Sequence, residues 1–186
     1  ASIVRLYNQH NLQSKKPPLK LFYITPCFRN ERNQKGRFKE FHQFGTEILG
    51  SDAASTDAEI ITLAYRFFER LGIMDNITLE INSVGGFESR KAYNEKLREF
   101  LKDDFDKLCD TCKERYDKNP MRIIDCKEKS CNNITKNAPL MIDNISQEEK
   151  EHFEKVKRLL DASGVKYVVN PNIVRGLDYY TKTAFE

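Results

Sequence analysis

Strand-like segments near both ends of the chain enclose a charge-rich stretch, residues 88–165, in which no strand pattern runs longer than Met121–Ile124. An order of strand-rich, helix-rich, strand-rich is what results when a helical module is inserted between two strands of one sheet. It predicts an α+β fold. Residues 1–85 and 166–186 would form a core of antiparallel sheet with flanking helices, and residues 86–165 an inserted, mainly helical domain. Pro17-Pro18 stops the helical tail of residues 1–16. Leu19–Phe28 then carries Leu21, Phe22, Tyr23, Ile24 and Phe28, a mostly aromatic and β-branched set that favours a strand. Phe41–Gly50 reads as the returning strand of an antiparallel hairpin with a long loop.

Further along, Thr56-Asp57-Ala58-Glu59 has the form of a capping box. Ile60, Leu63, Ala64, Phe67, Phe68 and Leu71 follow at helical spacing, with Gly72 as the stop. Ile77–Ile81 reads as a short strand closed by Gly85-Gly86. A second capping box, Ser146-Gln147-Glu148-Glu149, predicts a helix with Phe153, Val156, Leu159 and Leu160 inward and Gly164 at its end. Lys166–Val169 and Leu177–Phe185 read as strands again.

With 39% hydrophobic and 32% charged residues in 186, the composition is that of a globular chain and excludes a disordered one. No run approaches the roughly 20 apolar residues that cross a bilayer, so no membrane partner is expected. Neither Ala1 nor Glu186 reads as a natural terminus, and we expect an internal piece of a longer protein. Five cysteines, without secretory features, point to a reducing, cytoplasmic setting.

Local charge is more informative than the net +3. Arg29, Arg32, Lys35, Arg37 and Lys39 stand against Glu31 and Glu40 in the hairpin loop, so the loop alone holds as much net charge as the chain. A basic loop with a glycine suits phosphate contact, although a solvated hairpin tip looks the same. The returning strand is more specific. Alternation puts Phe41, Gln43, Gly45 and Glu47 on one face: an aromatic plate, an amide, a position without a side chain, and a carboxylate. Such a face reads as a pocket floor, with Gly45 admitting a ligand to the backbone.

The string FRNERNQKGRFKEFHQFGTEILG resembles motif 2 of class II aminoacyl-tRNA synthetases in its histidyl-tRNA synthetase version. IVRGLDYYTKTAFE, from Ile173, resembles the histidine-specific motif of that family, and NPMRIIDCK (Asn119–Lys127) its insertion domain. The resemblance implies an ATP-dependent histidine–tRNA ligase that uses ATP with Mg2+, forms histidyl-adenylate and transfers the histidyl group to tRNA(His), as a homodimer. It implies that Arg29 clamps the α-phosphate and Arg175 reaches it from the other side, both as catalytic residues. Glu31 and Phe41 would take the adenine, with Arg37 near the nucleotide or the tRNA end. Gln43 would position the amino acid, and Glu47 and Tyr180 would read the imidazole beside Arg175, because a carboxylate and a phenol satisfy its donor and acceptor nitrogens. Tyr179 would face away and be structural. Asn33 stands where the family usually has proline. Motif 1, motif 3, the acidic-threonine substrate loop and the anticodon-binding domain are not within the sequence.

Two other functions are similar enough to weigh: a synthetase-like regulatory subunit of ATP phosphoribosyltransferase, which typically lacks parts of the loop and the histidine-specific arginine, and a non-catalytic domain that senses uncharged tRNA. Arg29, the basic loop and Arg175 argue against the first, and the complete set Arg29, Gln43, Glu47, Arg175 and Tyr180 against the second. Finally, Cys109-x2-Cys112 and Cys126-x4-Cys131 have a spacing that suits four thiolates around zinc. Buried free thiols are the plainer reading. The family's catalysis needs no zinc, so no metal ligand is assigned.

Overall fold

The computed structural model describes residues 2–32, 34–174 and 180–186. The chain divides into two compact units, Ala1–Ile60 and Ile61–Glu186.

In the first unit, α1 (Ser2–Gln9) leads through a 3-10 turn to β1 (Leu19–Phe28) and β2 (Glu40–Leu49). The strands pair antiparallel from Leu19↔Leu49 to Phe28↔Glu40. Side chains alternate along β1 and the first half of β2, which leaves one face of the hairpin half-buried and much of the other open, while Gly45–Leu49 are half-buried on both faces. α2 (Ala54–Arg70) begins at the end of this unit. It starts two residues ahead of the expected Thr56 cap. Ser51 Oγ accepts the Ala53 N–H at 3.4 Å and shares a 2.7 Å hydrogen bond with the Thr56 hydroxyl. Thr56 is thus a first-turn residue; Ser51 and the good helix former Ala54 have moved the start upstream.

The second unit is built on β3 (Glu80–Gly85), between β4 (Val168–Val169), parallel to it, and β5 (Lys182–Phe185), antiparallel. The strand expected from Ile77 starts three residues later, because the Ile77 N–H closes a 3-10 turn on Met74. β5 is shorter than the expected Leu177–Phe185, of which residues 177–179 lie outside the described residues. The elements between β3 and β4 are all helical: two 3-10 segments and α3 (Phe87–Leu101), α4 (Asp110–Lys118), α5 (Met121–Ile124), α6 (Lys129–Thr135) and α7 (Gln147–Ala162). A helical segment is thus enclosed by strands of one sheet. Met121–Ile124 forms a helical turn rather than a strand. Four residues, three of them apolar, carry no period of their own, and Pro120 at the entry suits a helix start.

Within this unit β3 is buried along almost its whole length, with Asn82 Nδ2 donating to the carbonyls of Pro171 at 3.1 Å and Ile173 at 3.0 Å. The Ser146–Glu149 capping box forms as expected, and α7 buries Phe153, Val156 and Leu160. A second apolar core joins Tyr93, Leu97 and Leu101, one stripe of α3, to Leu108, Met121, Ile123 and Met141. The Tyr93 hydroxyl donates to the Pro139 carbonyl at 2.7 Å, and burial pushes its pKa up.

Candidate functional site

The half-buried face of the hairpin carries Phe41, Gln43, Gly45 and Glu47 on β2 beside Cys27, Thr25, Tyr23 and Leu21 on β1. Phe41 and Glu47 are about 20 Å apart along the strand, so the face is a long floor with an aromatic end and a carboxylate end. Arg29 follows β1 directly. Its N–H donates to the Lys39 carbonyl at 2.9 Å, which fixes the backbone at the mouth of the loop. Its guanidinium lies over the Phe41 ring, 5.0 Å from the centroid. The cation and the aromatic plate therefore stand at the same end.

The loop is a formed tip. Gln34 and Arg37 make an isolated bridge, the Arg37 N–H donates to the Gln34 carbonyl at 3.1 Å, and Gly36 takes φ 83° at the third turn position, where few other residues fit. Arg37 Nη1 reaches Glu31 Oε2 at 3.4 Å, so two residues assigned to the nucleotide pair with each other. In the floor, Gln43 is held from across the sheet: the Cys27 thiol donates to Gln43 Oε1 at 3.8 Å.

One expectation is corrected. Gly45 does not leave backbone open to a ligand, because the ring of Tyr23, its cross-strand partner, covers it. A Cβ at residue 45 would stand 2.2 Å from Tyr23 Cζ. The missing side chain is space for an aromatic ring, a pairing that shields a strand glycine.

Tyr180 belongs to the second unit. It borders a cleft of roughly 230 Å³ with Arg90, Lys91, Asn94, Arg98 and Lys118. Asn94 Oδ1 is buried there without a hydrogen-bond partner. Sequence reasoning passed over this basic cleft, although residues 90, 94 and 98 recur every fourth position along α3 and so share a face. Arg175 and Tyr179 lie outside the described residues, as does Asn33.

The four cysteines of the helical segment converge. The Sγ atoms of Cys109, Cys112, Cys126 and Cys131 all lie within 4.8 Å of one another. Burial pushes the Cys112 thiol up, and its sulfur neighbours push it the same way. Burial also raises Cys126. At the half-buried Cys109, hydrogen bonds from the Cys112 amide and the other sulfurs outweigh burial and lower the thiol.

Comparison with known proteins places these features. A histidine--tRNA ligase of Clostridium kluyveri is 54% identical over 98% of this chain. That of Clostridium novyi is 51% identical over all of it. In each case the chain spans 44% of the relative's length. The crystal structure of apo S. aureus histidyl-tRNA synthetase superposes with a TM-score of 0.78 at 37% identity, covering 99% of this chain and 42% of that one. Residues 1–186 match throughout the family described as tRNA synthetase class II core domain (G, H, P, S and T), and the chain belongs to that family.

Proposed function

We propose that this chain is the part of a histidine–tRNA ligase that carries the motif 2 hairpin, the insertion and the histidine-specific motif. The observation that carries the reading is one half-buried face of β2 with Phe41, Gln43 and Glu47 in line and Arg29 at its aromatic end. Identities of 51–54% with histidine--tRNA ligases support it. They speak against the regulatory-subunit and tRNA-sensing alternatives.

In the proposed reaction, ATP with Mg2+ and histidine form histidyl-adenylate and pyrophosphate, and the histidyl group then passes to tRNA(His). Phe41 stacks on adenine and Glu31 accepts from its exocyclic amine, with Arg37 beside the nucleotide. Arg29 and Arg175 hold the α-phosphate, where negative charge builds as the histidine carboxylate attacks. Fixed guanidinium groups there act in the transition state and bind two oxygens in set geometry. Gln43 orients the polar backbone groups of histidine, and Glu47 and Tyr180 take the two imidazole nitrogens. A substrate lacking either nitrogen would leave one of them buried and unpaired. The basic cleft beside Tyr180 suits phosphates of the tRNA. Residues 1–85 and 166–186 serve as the catalytic core and 86–165 as the insertion domain, in a cytoplasmic homodimer.

The test is histidine-dependent ATP–pyrophosphate exchange by the intact protein. Arg29→Ala and Arg175→Ala are each expected to slow exchange by about 10²–10³ with little change in histidine affinity. Exchange at the unaltered rate in both variants would refute the assignment.

A further inference from the structure

The helical segment between β3 and β4 carries a feature that the ligase reaction does not use. Cys109 precedes α4 as its N-cap residue, Cys112 lies in the first turn of α4, Cys126 follows α5, and Cys131 lies in α6. Three helices of 9, 4 and 7 residues thus present four sulfurs to one point. We propose that these four cysteines form a structural zinc site, closed by protein ligands alone, that ties α4, α5 and α6 together.

The geometry fits the ion. Thiolates at about 2.3 Å from tetrahedral zinc stand about 3.8 Å from one another. The Cys109–Cys126 sulfurs are 3.9 Å apart and every pair is within 4.8 Å, so a contraction of about 1 Å at most completes the tetrahedron. A disulfide, at about 2.05 Å, does not match, and all four cysteines are free. Backbone support is also in place. The Cys109 N–H donates to Cys131 Sγ at 3.2 Å, the kind of outer contact that orients a thiolate ligand. Cys109 and Cys112 are joined by an N–H···O=C bond of 2.8 Å that fixes the first pair as a unit.

Packing alone accounts less well for the same sulfurs. Buried thiols used as small apolar residues would be dispersed through the core like its Leu and Ile residues. Here three of the four are buried, and all four meet atom to atom. The segment also needs a staple, because helices this short are marginal without tertiary support. Four protein ligands leave no open position, so the role is structural rather than catalytic. Binding would release the thiol protons to solvent without any redox change.

The test uses the whole 186-residue chain, kept reduced with a phosphine. Zn2+ is added and the excess removed by gel filtration. Elemental analysis is expected to give one zinc per chain, and Co2+ in its place the visible bands of a tetrahedral thiolate complex, lost when Zn2+ is added. Zinc should also protect Cys109, Cys112, Cys126 and Cys131 from alkylation, mapped by mass spectrometry, while Cys27 stays reactive. Cys27→Ser should keep its zinc. Cys126→Ser should lose more than the about 10–100-fold in affinity that an outer contact is worth. Should Cys126→Ser fail to fold, the alkylation map of the unaltered chain decides. Zinc well below one per folded chain, or alkylation of all five thiols unchanged by zinc, would overturn the site.

Discussion

At Gly45 the requirement for glycine comes from a neighbouring side chain. The Tyr23 ring occupies the space a Cβ would need, 2.2 Å from Cζ, and the ring is the rigid end of its side chain. Gly45→Ala must therefore displace the ring, an overpacking cost of about 1–3 kcal/mol. In a Tyr23→Ala background the same change should cost close to nothing, because the obstacle is gone. Urea denaturation of the four chains measures this coupling, and equal costs in both backgrounds would show that the ring does not set the requirement. Strand alternation was enough to put Phe41, Gln43, Gly45 and Glu47 on one face before any coordinates. What covers Gly45 depends on the cross-strand register Tyr23↔Gly45, which no local pattern in either strand specifies. The spacing of the four cysteines left two readings open, a zinc set or dispersed thiols, for a similar reason. Spacing along the chain fixes Cys109 against Cys112, but the turns of α5 and α6 bring the second pair to the first.

Glu149 holds together three pieces of backbone. Its carboxylate accepts the Ser146 N–H at 2.7 Å to complete the capping box, the Ser89 hydroxyl at 2.6 Å, and the Gly86 N–H at the junction of β3 and α3. A Cβ on Gly86 would stand 2.6 Å from Glu149 Oε1, so the glycine leaves room for the carboxylate. Burial raises the Glu149 pKa, but the hydrogen bonds from Ser89, Ser146 and Gly86 outweigh it and hold the group below the usual carboxylate range. A carboxyl that releases its proton more readily when folded stabilises the fold fully above its ordinary pKa, and that contribution is lost as pH falls through the depressed folded value. Glu149→Gln, whose amide nitrogen cannot accept, should lose about 1–2 kcal/mol at pH 7. The gap between the two urea midpoints should close as pH falls below about 4. A gap constant from pH 7 to pH 3 would exclude this origin. The two capping boxes also show where sequence reading succeeds. Ser146 and Glu149 are preceded by nothing that starts a helix earlier, so the motif marked the end correctly. Thr56 and Glu59 fit the same pattern, but Ser51 and Ala54 upstream start the helix first.

The two units differ in how much apolar surface they bury. Among the described residues, the fully buried ones of the first unit are Ala54 and Ala58, whereas the second buries a sheet core and the α3 cluster. The hairpin is a two-stranded sheet, which is marginal by itself. Phe22, Ile24 and Phe28 on its open face are 73%, 69% and 73% exposed. Those residues gain little from burial, so the hairpin should open at a lower free energy than β3, α3 or α7. Hydrogen exchange of the 186-residue chain should show amides of residues 20–28 and 41–49 at least about a hundredfold less protected than those of α3 and α7. The chain spans 44% of the length of relatives that it matches, and in the intact protein the additional polypeptide should narrow that gap. The consequence for catalysis follows from which side chains the hairpin carries. In the proposed reaction Arg29, Phe41, Gln43 and Glu47 are the positioned groups it carries, and a misplacement of about 1 Å in a positioned group costs about a hundredfold in rate. Histidine-dependent exchange by the 186-residue chain should therefore fall below that of the intact protein by at least this factor. Equal rates together with equal hairpin protection in the two proteins would mean that the hairpin is ordered without the additional polypeptide, and would refute the stability difference between the two units.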